Sequence, residues 1–374
     1  MTARLFDAAV ADAQARVLAR IDGTATAMRP AFPHAAESAT GRWEAKPGGA
    51  WTDGFWVGLC WLAYSLTGAA RYREWGLEWA ARLRGREQTK THDIGFLFHY
   101  SAVLGWPITR EPLLRELGLA CADRLVAMWH PKARVIPVGA HAEVSSGLDD
   151  VTIDCMMNLQ ALWWAARETG QARYRDVGVA HAERTAAWHV RSDGSCVQSV
   201  HFDPDSGAPL KRHTHQGHHD DGCWSRGLGW CAYGFAEAHR ATRREDFLVV
   251  ARRALDYHIT HSEADPVTFN DYADPRIPDA PRDTSASAIL ACAALAVAEA
   301  GAGERYRDEA GRILGALVTR FLTPVGAADR RPPGMLPHTC YNLYTGEAPD
   351  HELIWGDYFL LEALARWQGR GLQA

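Results

Sequence analysis

The sequence lacks the features that would indicate a membrane span, a disulfide framework or a zinc-binding module. It contains no run of about 18 uninterrupted apolar residues, which argues against a transmembrane helix. The N-terminus has no basic start followed by an apolar run and a cleavage site, so no secretion signal is expected. The eight cysteines are scattered singly without CxxC spacing, as is typical of buried, reduced thiols. We therefore expect a cytoplasmic protein without disulfides or structural zinc.

Blocks of charge are missing as well. The 45 acidic and 40 basic residues give a formal net charge of −5 and are spread along the chain. This distribution favours neither nucleic acid nor a membrane surface as a partner. Linkers, low-complexity runs and breaks in composition are also absent from the 374 residues. Residues 1–374 are therefore expected to form one domain with a sizeable core.

A repeat of helical hairpins runs through the chain. The segments that begin at Gly68, Gly170 and Gly301 each place a glycine at the end of one amphipathic helix and an RYR segment at the start of the next. Weaker copies without this signature begin at Arg110 and Arg243. The first helices of these five hairpins are predicted near residues 53–67, 94–105, 152–168, 225–240 and 284–300.

A sixth hairpin can close the ring. An N-terminal helix near residues 4–21 and a C-terminal helix near 355–368 provide its two members. The chain is therefore predicted to be all-α, an (α/α)6 barrel or six-hairpin toroid. Strand signals are few, and the runs at 134–138 and 196–202 predict small β-hairpins that decorate the ring.

Aspartate recurs near the start of the first helix of every hairpin. If these helices form an inner ring, their N-termini meet at one mouth. Aspartate is a preferred N-cap, and capping is the predicted role of Asp53, Asp221 and Asp283, whereas Asp93 is equally suited to capping or to a role at the mouth. The six segments are WTDGFW (51–56), THDIGF (91–96), DDVTIDCMMN (149–158), HQGHHDDGCWSRG (215–227), PRDTSAS (281–287) and HELIWGDY (351–358).

Asp154 has a different sequence context. With a helix that starts near Val151, Asp154 shares one stripe with Met157, Asn158 and Ala161, which places a carboxylate among largely apolar neighbours at the mouth. Burial would raise its pKa, while the nearby helix N-terminus would lower it. General acid or base catalysis depends on such tuning. A ring of helix N-termini also suits a negatively charged substrate.

The stretch RHTHQGHHDDGCWSRGLGW, residues 212–230, contains four histidines. It has no HExxH motif and precedes a helix instead of lying on one, so a polar loop is favoured over a metal site. In such a loop Gln216 offers an amide, Arg226 a planar cation for a carboxylate, and Trp230 a stacking face. Arg226 and Trp230 are four residues apart and are predicted to share one face of the following helix.

Tryptophan is unusually frequent, with 15 residues in the chain. Several of them, such as Trp51, Trp56 and Trp224, stand near glycine or aspartate and not within purely apolar runs. Each of these side chains is compatible with core packing or with a platform on which a sugar ring stacks.

Taken together, the motifs resemble the unsaturated glucuronyl hydrolases, glycoside hydrolase family 88. The resemblance implies an (α/α)6 barrel and a reaction that needs no metal or other cofactor. Members of this family act on oligosaccharides left by polysaccharide lyases, which carry a C4=C5 unsaturated uronic acid at the non-reducing end. They protonate C4, add water at C5 and release the linkage when the resulting hemiketal opens. Seven segments in the same order carry the resemblance: WTDGFW, THDIGF, IDCMMNLQALWWAARETG, FDPDSG, THQGHHDDGCWSRGLGW, PRDTSASA and LIWGDYFLLEAL.

The resemblance also implies roles for individual residues. Asp154 would be the general acid that protonates C4 and then the base that activates water. Asp93 would be the second essential carboxylate, which orients substrate or stabilises developing positive charge. Trp51 resembles the aromatic residue that stacks near the scissile sugar. The implied substrate-binding residues are Trp51, His92, Thr214, Gln216, Trp224, Arg226 and Trp230.

The chain departs from the family pattern at two places, and its C-terminal loop lacks residues that are typical of one group of members. Gln198 stands where many members have a histidine shortly before the FDP segment, and it is predicted to take the place of that histidine among the substrate-binding residues. His201 faces the other side of the strand. The stretch RVIPVGAHAE, residues 134–143, lacks a tryptophan that many members carry. The loop 331–352 contains neither serine nor lysine, residues typical of members that prefer sulfated fragments, so an unsulfated substrate is predicted.

Three alternatives stay open on the sequence alone. An unsaturated rhamnogalacturonyl hydrolase would share the fold and chemistry but not the THQGxxDDxxWSRG pattern. A sugar epimerase on a similar toroid would need paired histidines that act as acid and base across the sugar. A catalytically silent carbohydrate-binding homologue is suggested by Gln198 and the missing tryptophan, but both candidate carboxylates, Asp93 and Asp154, are present and favour an enzyme.

Overall fold

The computed structural model describes residues 3–139, 150–326 and 328–372. Within these residues the chain is mostly helical, and a 3₁₀ turn (Arg86–Gln88) and two π-helical turns (His99–Val103 and Leu317–Phe321) extend or connect the helices. In chain order the α-helices are α1 (Ala3–Met28), α2 (Asp53–Thr67), α3 (Ala70–Arg82), α4 (Ile94–Phe98), α5 (Gly105–Thr109), α6 (Pro112–Ala127), α7 (Cys155–Asn158), α8 (Gln160–Thr169), α9 (Ala172–Trp188), α10 (Ser225–Thr242), α11 (Glu245–His261), α12 (Thr284–Glu299), α13 (Glu304–Ala316) and α14 (Ile354–Trp367).

The helices form two concentric rings. The inner ring runs through α2, the α4–α5 unit, the α7–α8 unit, α10, α12 and α14, and α14 contacts α2 to close it. Each inner helix packs against an outer partner: α3, α6, α9, α11, α13 and, for α14, the N-terminal helix α1. The predicted (α/α)6 barrel is therefore confirmed, including the hairpin formed by the first and last helices.

Most helix boundaries agree with the sequence prediction, but the third inner helix differs. It was expected near residues 152–168, whereas 150–152 form a strand and the helix begins at Cys155. The reason is a tertiary contact, because Val151 and Thr152 are β-branched and pair with strand residues almost 50 positions later. Asp154 thus precedes the helix instead of lying on its first turn.

Two glycines allow the inner helices to approach closely at the mouth. A Cβ atom on Gly54 of α2 would lie 2.3 Å from the carbonyl oxygen of Phe96, and one on Gly95 of α4 would lie 2.4 Å from Cβ of Asn158. Any side chain would force these helices apart. The glycines of WTDGFW and THDIGF therefore allow the starts of three consecutive inner helices to lie in close contact.

The RYR segments connect neighbouring outer helices. Arg71 on α3 donates two hydrogen bonds of 3.1 Å to Asp22 on α1, and its guanidinium lies 4.4 Å from the ring centroid of Tyr72. Each such clamp joins one hairpin to the preceding one, which gives the sequence repeat a structural role. The same arrangement recurs at Arg173, Tyr174 and Asp123, and at Arg305, Tyr306 and Asp256.

Two small antiparallel sheets decorate the ring on the described part of the chain. One has the strand order β2-β1-β6 and the other β3-β4-β5. The predicted strand at 196–202 corresponds to β4, but the one expected at 134–138 is wrong, since Val135 there makes only an isolated bridge with His130. The strands are β1 (Ala35–Glu37), β2 (Trp43–Glu44), β3 (Asp150–Thr152), β4 (Ser199–Phe202), β5 (Pro209–His213) and β6 (His351–Leu353).

Several further sequence expectations concern single features. All eight cysteines are buried free thiols. Among the described helices, we find none that combines the length and apolarity needed to span a membrane. The stretch 134–143, noted for its missing tryptophan, is described only as far as residue 139, and residues 140–143 and Asp149 lie outside the described residues.

Candidate active site

A pocket of about 460 Å³, including its part open to solvent, lies where the inner helices begin. Seven of the ten predicted site residues line it, namely Trp51, His92, Asp93, Asp154, Gln216, Trp224 and Arg226. The three others, Gln198, Thr214 and Trp230, are not among its described lining residues. The wall also contains residues that the sequence analysis did not single out: Phe96, Val138, Thr152, His215 and Tyr341.

The two candidate catalytic carboxylates occupy equivalent positions in successive hairpins. Asp93 is the N-cap residue of α4 and Asp154 is the N-cap residue of α7. Neither side chain makes a capping hydrogen bond to its own helix in the described structure. Capping, one of the two roles considered for Asp93, is therefore not observed. Both carboxylates line the pocket instead.

Asp93 forms an ion pair with the neighbouring His92. Nε2 of His92 lies 3.3 Å from Oδ1 of Asp93 and 3.4 Å from the hydroxyl of Thr152. Burial disfavours a charged imidazole, but the Asp93 carboxylate outweighs it and raises the pKa of His92 well above its ordinary value. The pair therefore supplies a carboxylate held by a protonated imidazole at the pocket wall.

Asp154 lies in a less favourable environment for a negative charge. Burial is the main cause that raises the pKa of Asp154, and the nearby Asp93 charge acts in the same direction. His92 and Arg226 oppose this effect without cancelling it. The sequence left the balance between burial and the helix N-terminus open, and in the structure burial is the larger effect. A carboxyl group that retains its proton to higher pH can act as a general acid.

Aromatic rings form one side of the pocket. Trp51 is partly exposed, and its Nε1 donates a hydrogen bond of 3.2 Å to the hydroxyl of Tyr341. Its ring centroid lies 5.0 Å from that of Phe96. These contacts fix the orientation of the Trp51 indole at the pocket wall.

Arg226 connects the pocket to the C-terminal loop. Its buried guanidinium forms an ion pair of 2.6 Å with Asp283, and it donates hydrogen bonds to the backbone carbonyl oxygens of Cys340 and Tyr341. It also lies 4.4 Å from the ring centroid of Trp224. Three N–H groups of Arg226 are thus engaged with protein oxygens, and its contribution to the site includes fixing residues 340–341.

Of the three aspartates predicted to cap helices, only Asp283 does so. It accepts hydrogen bonds from the backbone N–H groups of Ser285 and Ala286 at the start of α12. Asp53 lies inside the first turn of α2, where it forms an ion pair with Arg86. The predicted capping role of Asp53 was therefore wrong. The prediction for Asp221 was also wrong, because Trp224 occupies the N-cap position of α10.

Gln198 and Thr214 support the pocket from behind its wall. Oε1 of the buried Gln198 accepts hydrogen bonds from the Thr214 hydroxyl at 2.7 Å and from the backbone N–H groups of His215 and Gln216 at 3.0 Å each. Its Nε2 donates to Oε1 of Gln216 at 2.6 Å. Gln216 in turn donates to the carbonyl oxygen of Tyr341 at 2.9 Å. Residues 214–216 are therefore held in one conformation by a single side chain.

The histidine-rich stretch forms the predicted polar loop at the mouth. His215 lines the pocket, while the backbone N–H groups of His218 and Cys223 donate to the carboxylate of Asp271. Asp271 is completely buried and organises the loop from about 50 residues away. No local sequence signal marks it, because its partners are backbone groups.

Trp230 does not lie on the pocket wall as a stacking face. Its side chain is fully buried, and its ring centroid lies 5.4 Å from that of Phe96 and 5.4 Å from that of Phe359. It packs against Phe96, which does line the pocket. The i, i+4 spacing with Arg226 therefore places Trp230 one turn deeper in the barrel.

Comparisons with known proteins agree with this architecture. Residues 21–329 match Glycosyl Hydrolase Family 88. The chain is 35% identical to an unsaturated glucuronyl hydrolase of Bacillus sp. (strain GL1), with 90% of each chain covered. It is 31% identical to an unsaturated chondroitin disaccharide hydrolase of Streptococcus pyogenes serotype M1, over 85% of this chain and 81% of the other. A solved structure of UGL with dGlcA-Glc-Rha-Glc superposes with a TM-score of 0.89 at 32% identity, over 95% of this chain and 96% of that one.

Proposed function

The chain belongs to glycoside hydrolase family 88, and on this basis we propose that it removes an unsaturated uronic acid from the non-reducing end of lyase-derived oligosaccharides. The observation that carries the proposal is the convergence of Asp93 and Asp154 on one pocket at the mouth of the barrel. Relatives named unsaturated glucuronyl hydrolase and unsaturated chondroitin disaccharide hydrolase support the substrate class. The presence of both carboxylates in one pocket favours an enzyme over a silent sugar-binding homologue.

Asp154 acts as the general acid and then as the base. Its raised pKa keeps a proton available for transfer to C4 of the double bond. The electron pair of the C4=C5 bond forms the new C–H bond, and positive charge develops at C5 and the ring oxygen. The resulting Asp154 carboxylate removes a proton from water as the water oxygen bonds to C5. The hemiketal then opens and releases the aglycone with a free hydroxyl group.

Asp93 supplies the fixed negative charge that this reaction needs. Its ion pair with His92 holds the carboxylate at the wall, where it orients the sugar or stabilises positive charge at C5. The chemistry differs from hydrolysis at the anomeric carbon, so the separation of these two carboxylates does not report retention or inversion.

The remaining predicted residues divide into two groups. Trp51 provides the face on which the sugar ring stacks, and Gln216, Trp224 and Arg226 line the sugar subsite beside it. The second group, which acts from behind the wall by holding the first in place, consists of Gln198, Thr214 and Trp230.

We further propose that hydration proceeds without a metal ion, since proton transfer by Asp154 accounts for each step.

A cytoplasmic location is consistent with eight free thiols, which a reducing compartment maintains. We propose one catalytic domain, because α14 contacts α2 to close the inner ring and α1 packs on α14 as its outer partner. The absence of serine and lysine from 331–352 favours an unsulfated substrate.

The test is the ultraviolet absorbance of the conjugated unsaturated carboxylate, followed over time with purified protein, a chelator and a panel of unsaturated disaccharides. The panel contains sulfated and unsulfated glycosaminoglycan fragments and an unsaturated rhamnogalacturonan disaccharide. We expect loss of absorbance on a glucuronyl substrate, fastest without sulfate. Turnover confined to the rhamnogalacturonan substrate would reassign the substrate class. A flat trace on every member, with binding retained, would favour the silent homologue.

A further inference from the structure

The sheet β3-β4-β5 brings one aspartate and two histidines together. Asp150 on β3 lies opposite His201 on β4, and His213 ends β5. A carboxylate oxygen and one ring nitrogen from each histidine all lie within 4.8 Å of one another. Nε2 of His213 is 3.0 Å from Oδ1 of Asp150, and the two imidazole centroids are 5.2 Å apart. Three donor side chains from three adjacent strands therefore converge.

The Asp150 carboxylate is only partly satisfied by the protein. Its side chain is 1% exposed, and Oδ2 has no hydrogen-bond partner among the described residues. A buried carboxylate oxygen without a partner costs free energy that a bound cation would offset. The intervening residues of the same strands, Val151 and Val200, pack into an apolar cluster, which anchors the sheet. The unpartnered oxygen therefore points to a ligand of positive charge.

We propose that Asp150, His201 and His213 bind a divalent transition-metal ion of the Zn²⁺ class. Two imidazole nitrogens and one carboxylate oxygen are a recurrent ligand set for such ions. Ligand atoms bonded at about 2.1 Å to a tetrahedral ion lie about 3.4 Å apart. The 3.0 Å between Asp150 and His213 is close to this spacing, and a ring nitrogen of His201 lies within 4.8 Å of both ligand atoms. Because His201 and His213 are partly exposed, water can complete the coordination.

This cluster is distinct from the candidate active site but shares a sheet with it. Side chains two residues apart on a strand point to the same face. Thr152, two residues after Asp150, lines the pocket, so the ion lies beside the pocket and outside the pair Asp93 and Asp154. An ion there adds positive charge next to a pocket for which we propose an anionic sugar. The metal inference itself does not depend on that sugar.

The experiment is calorimetric titration of the chelator-treated and desalted protein with ZnCl₂. His201→Gln removes one proposed ligand at a partly exposed position. His219→Gln is the matched control, because His219 is an exposed histidine of the neighbouring loop that is not part of the cluster. Thermal unfolding followed by circular dichroism, recorded without metal, shows that each variant is folded.

We expect one Zn²⁺ per chain for the wild type and for His219→Gln with the same Kd. For His201→Gln the Kd should rise more than about tenfold, and Asp150→Asn should weaken binding in the same direction. Addition of Zn²⁺ should raise the melting temperature of the wild type but not that of His201→Gln. The proposal is overturned if the wild type binds no Zn²⁺, if His201→Gln binds it unchanged, or if His219→Gln loses as much affinity.

Discussion

Gln198 donates a hydrogen bond of 2.6 Å from Nε2 to Oε1 of Gln216, although only Gln216 lines the pocket. Through three further bonds accepted at one oxygen, Gln198 also fixes the backbone that carries Gln216. A histidine, which many family members have here, cannot accept three hydrogen bonds at one atom while it donates a fourth. We infer that position 198 supports the sugar subsite in this chain instead of contacting substrate.

Gln198→Ala should therefore impair binding more than chemistry. Three donors of residues 214–216 would lose their buried acceptor, so the free energy of unfolding should fall by about 1–3 kcal/mol. In steady-state kinetics KM should rise while kcat changes less, because the proton-transfer groups stay in place. Gln171→Ala, at an exposed position before α9, is the matched control. Equal kinetic effects of the two substitutions would contradict the supporting role.

Asp154→Asn should abolish turnover and leave sugar binding largely intact. Asparagine keeps the shape of the side chain but cannot donate a proton to C4, and loss of a general acid costs about 10²- to 10⁴-fold in kcat. Turnover is measured by the loss of absorbance of the unsaturated carboxylate, and binding by quenching of tryptophan fluorescence. Asp221→Asn, an exposed carboxylate in the loop before α10, should retain wild-type turnover. Substantial activity of Asp154→Asn would assign the proton transfer to another group.

The rate should decrease on the alkaline side of a raised carboxyl pKa. Burial raises the pKa of Asp154, so its protonated, active form persists above the range of an ordinary aspartate and disappears as pH rises through the raised pKa. A profile of kcat/KM against pH should therefore show an alkaline limb that reports Asp154 in the free enzyme. A profile in which kcat/KM is constant up to strongly alkaline pH would argue against a general acid.

The carboxyl group of the partly buried Asp154 should make the wild type less stable than its amide variant at neutral pH. A folded-state pKa above the unfolded one means that the folded protein binds the proton more tightly, so this group favours folding at low pH and opposes it as pH rises. Asp154→Asn removes that penalty. At pH values above the folded-state pKa, the melting temperature of the variant should therefore exceed that of the wild type. The gain should decrease as pH falls below that pKa and vanish below the unfolded pKa. A gain that is independent of pH would point to packing instead of charge.

Asp283→Ala should be strongly destabilising. The substitution removes the N-cap of α12 and leaves the buried guanidinium of Arg226 without its counter-charge, which costs about 3–5 kcal/mol. Urea unfolding followed by circular dichroism measures the loss. Asp308→Ala, at an exposed position on α13, should change stability by less than about 0.5 kcal/mol. If Asp283→Ala loses as little stability as is expected for Asp308→Ala, the ion pair and the cap contribute little.

The sequence predicted the features that depend on local pattern. The glycine and RYR signatures located the hairpins, because a helix end and the next helix start are encoded within a few residues. The motifs around Asp93 and Asp154 placed both carboxylates at the mouth. Residues that act across the chain were missed: Asp271 binds backbone groups about 50 residues away, and Tyr341 reaches the pocket from the C-terminal loop.

Errors in the prediction have the same origin. The third inner helix begins later than expected because β3 pairs with β4, a contact that no local window contains. The resemblance placed Trp230 in the sugar subsite, and its spacing to Arg226 predicted a shared helix face. The side chain is instead fully buried, because the depth of a residue within the barrel depends on how six helices pack together. Asp53 was expected to cap its helix, yet Arg86 provides a partner 33 residues later.

The hairpin formed by the two ends of the chain has a consequence for synthesis. The ribosome makes α1 first and α14 last, so five hairpins can assemble on the emerging chain before the sixth exists. Until α14 has been synthesised as far as Trp367, the faces of α2 and α12 that it covers remain exposed to solvent. A nascent chain of this protein therefore exposes an apolar surface on α2 and α12 until α14 has been made.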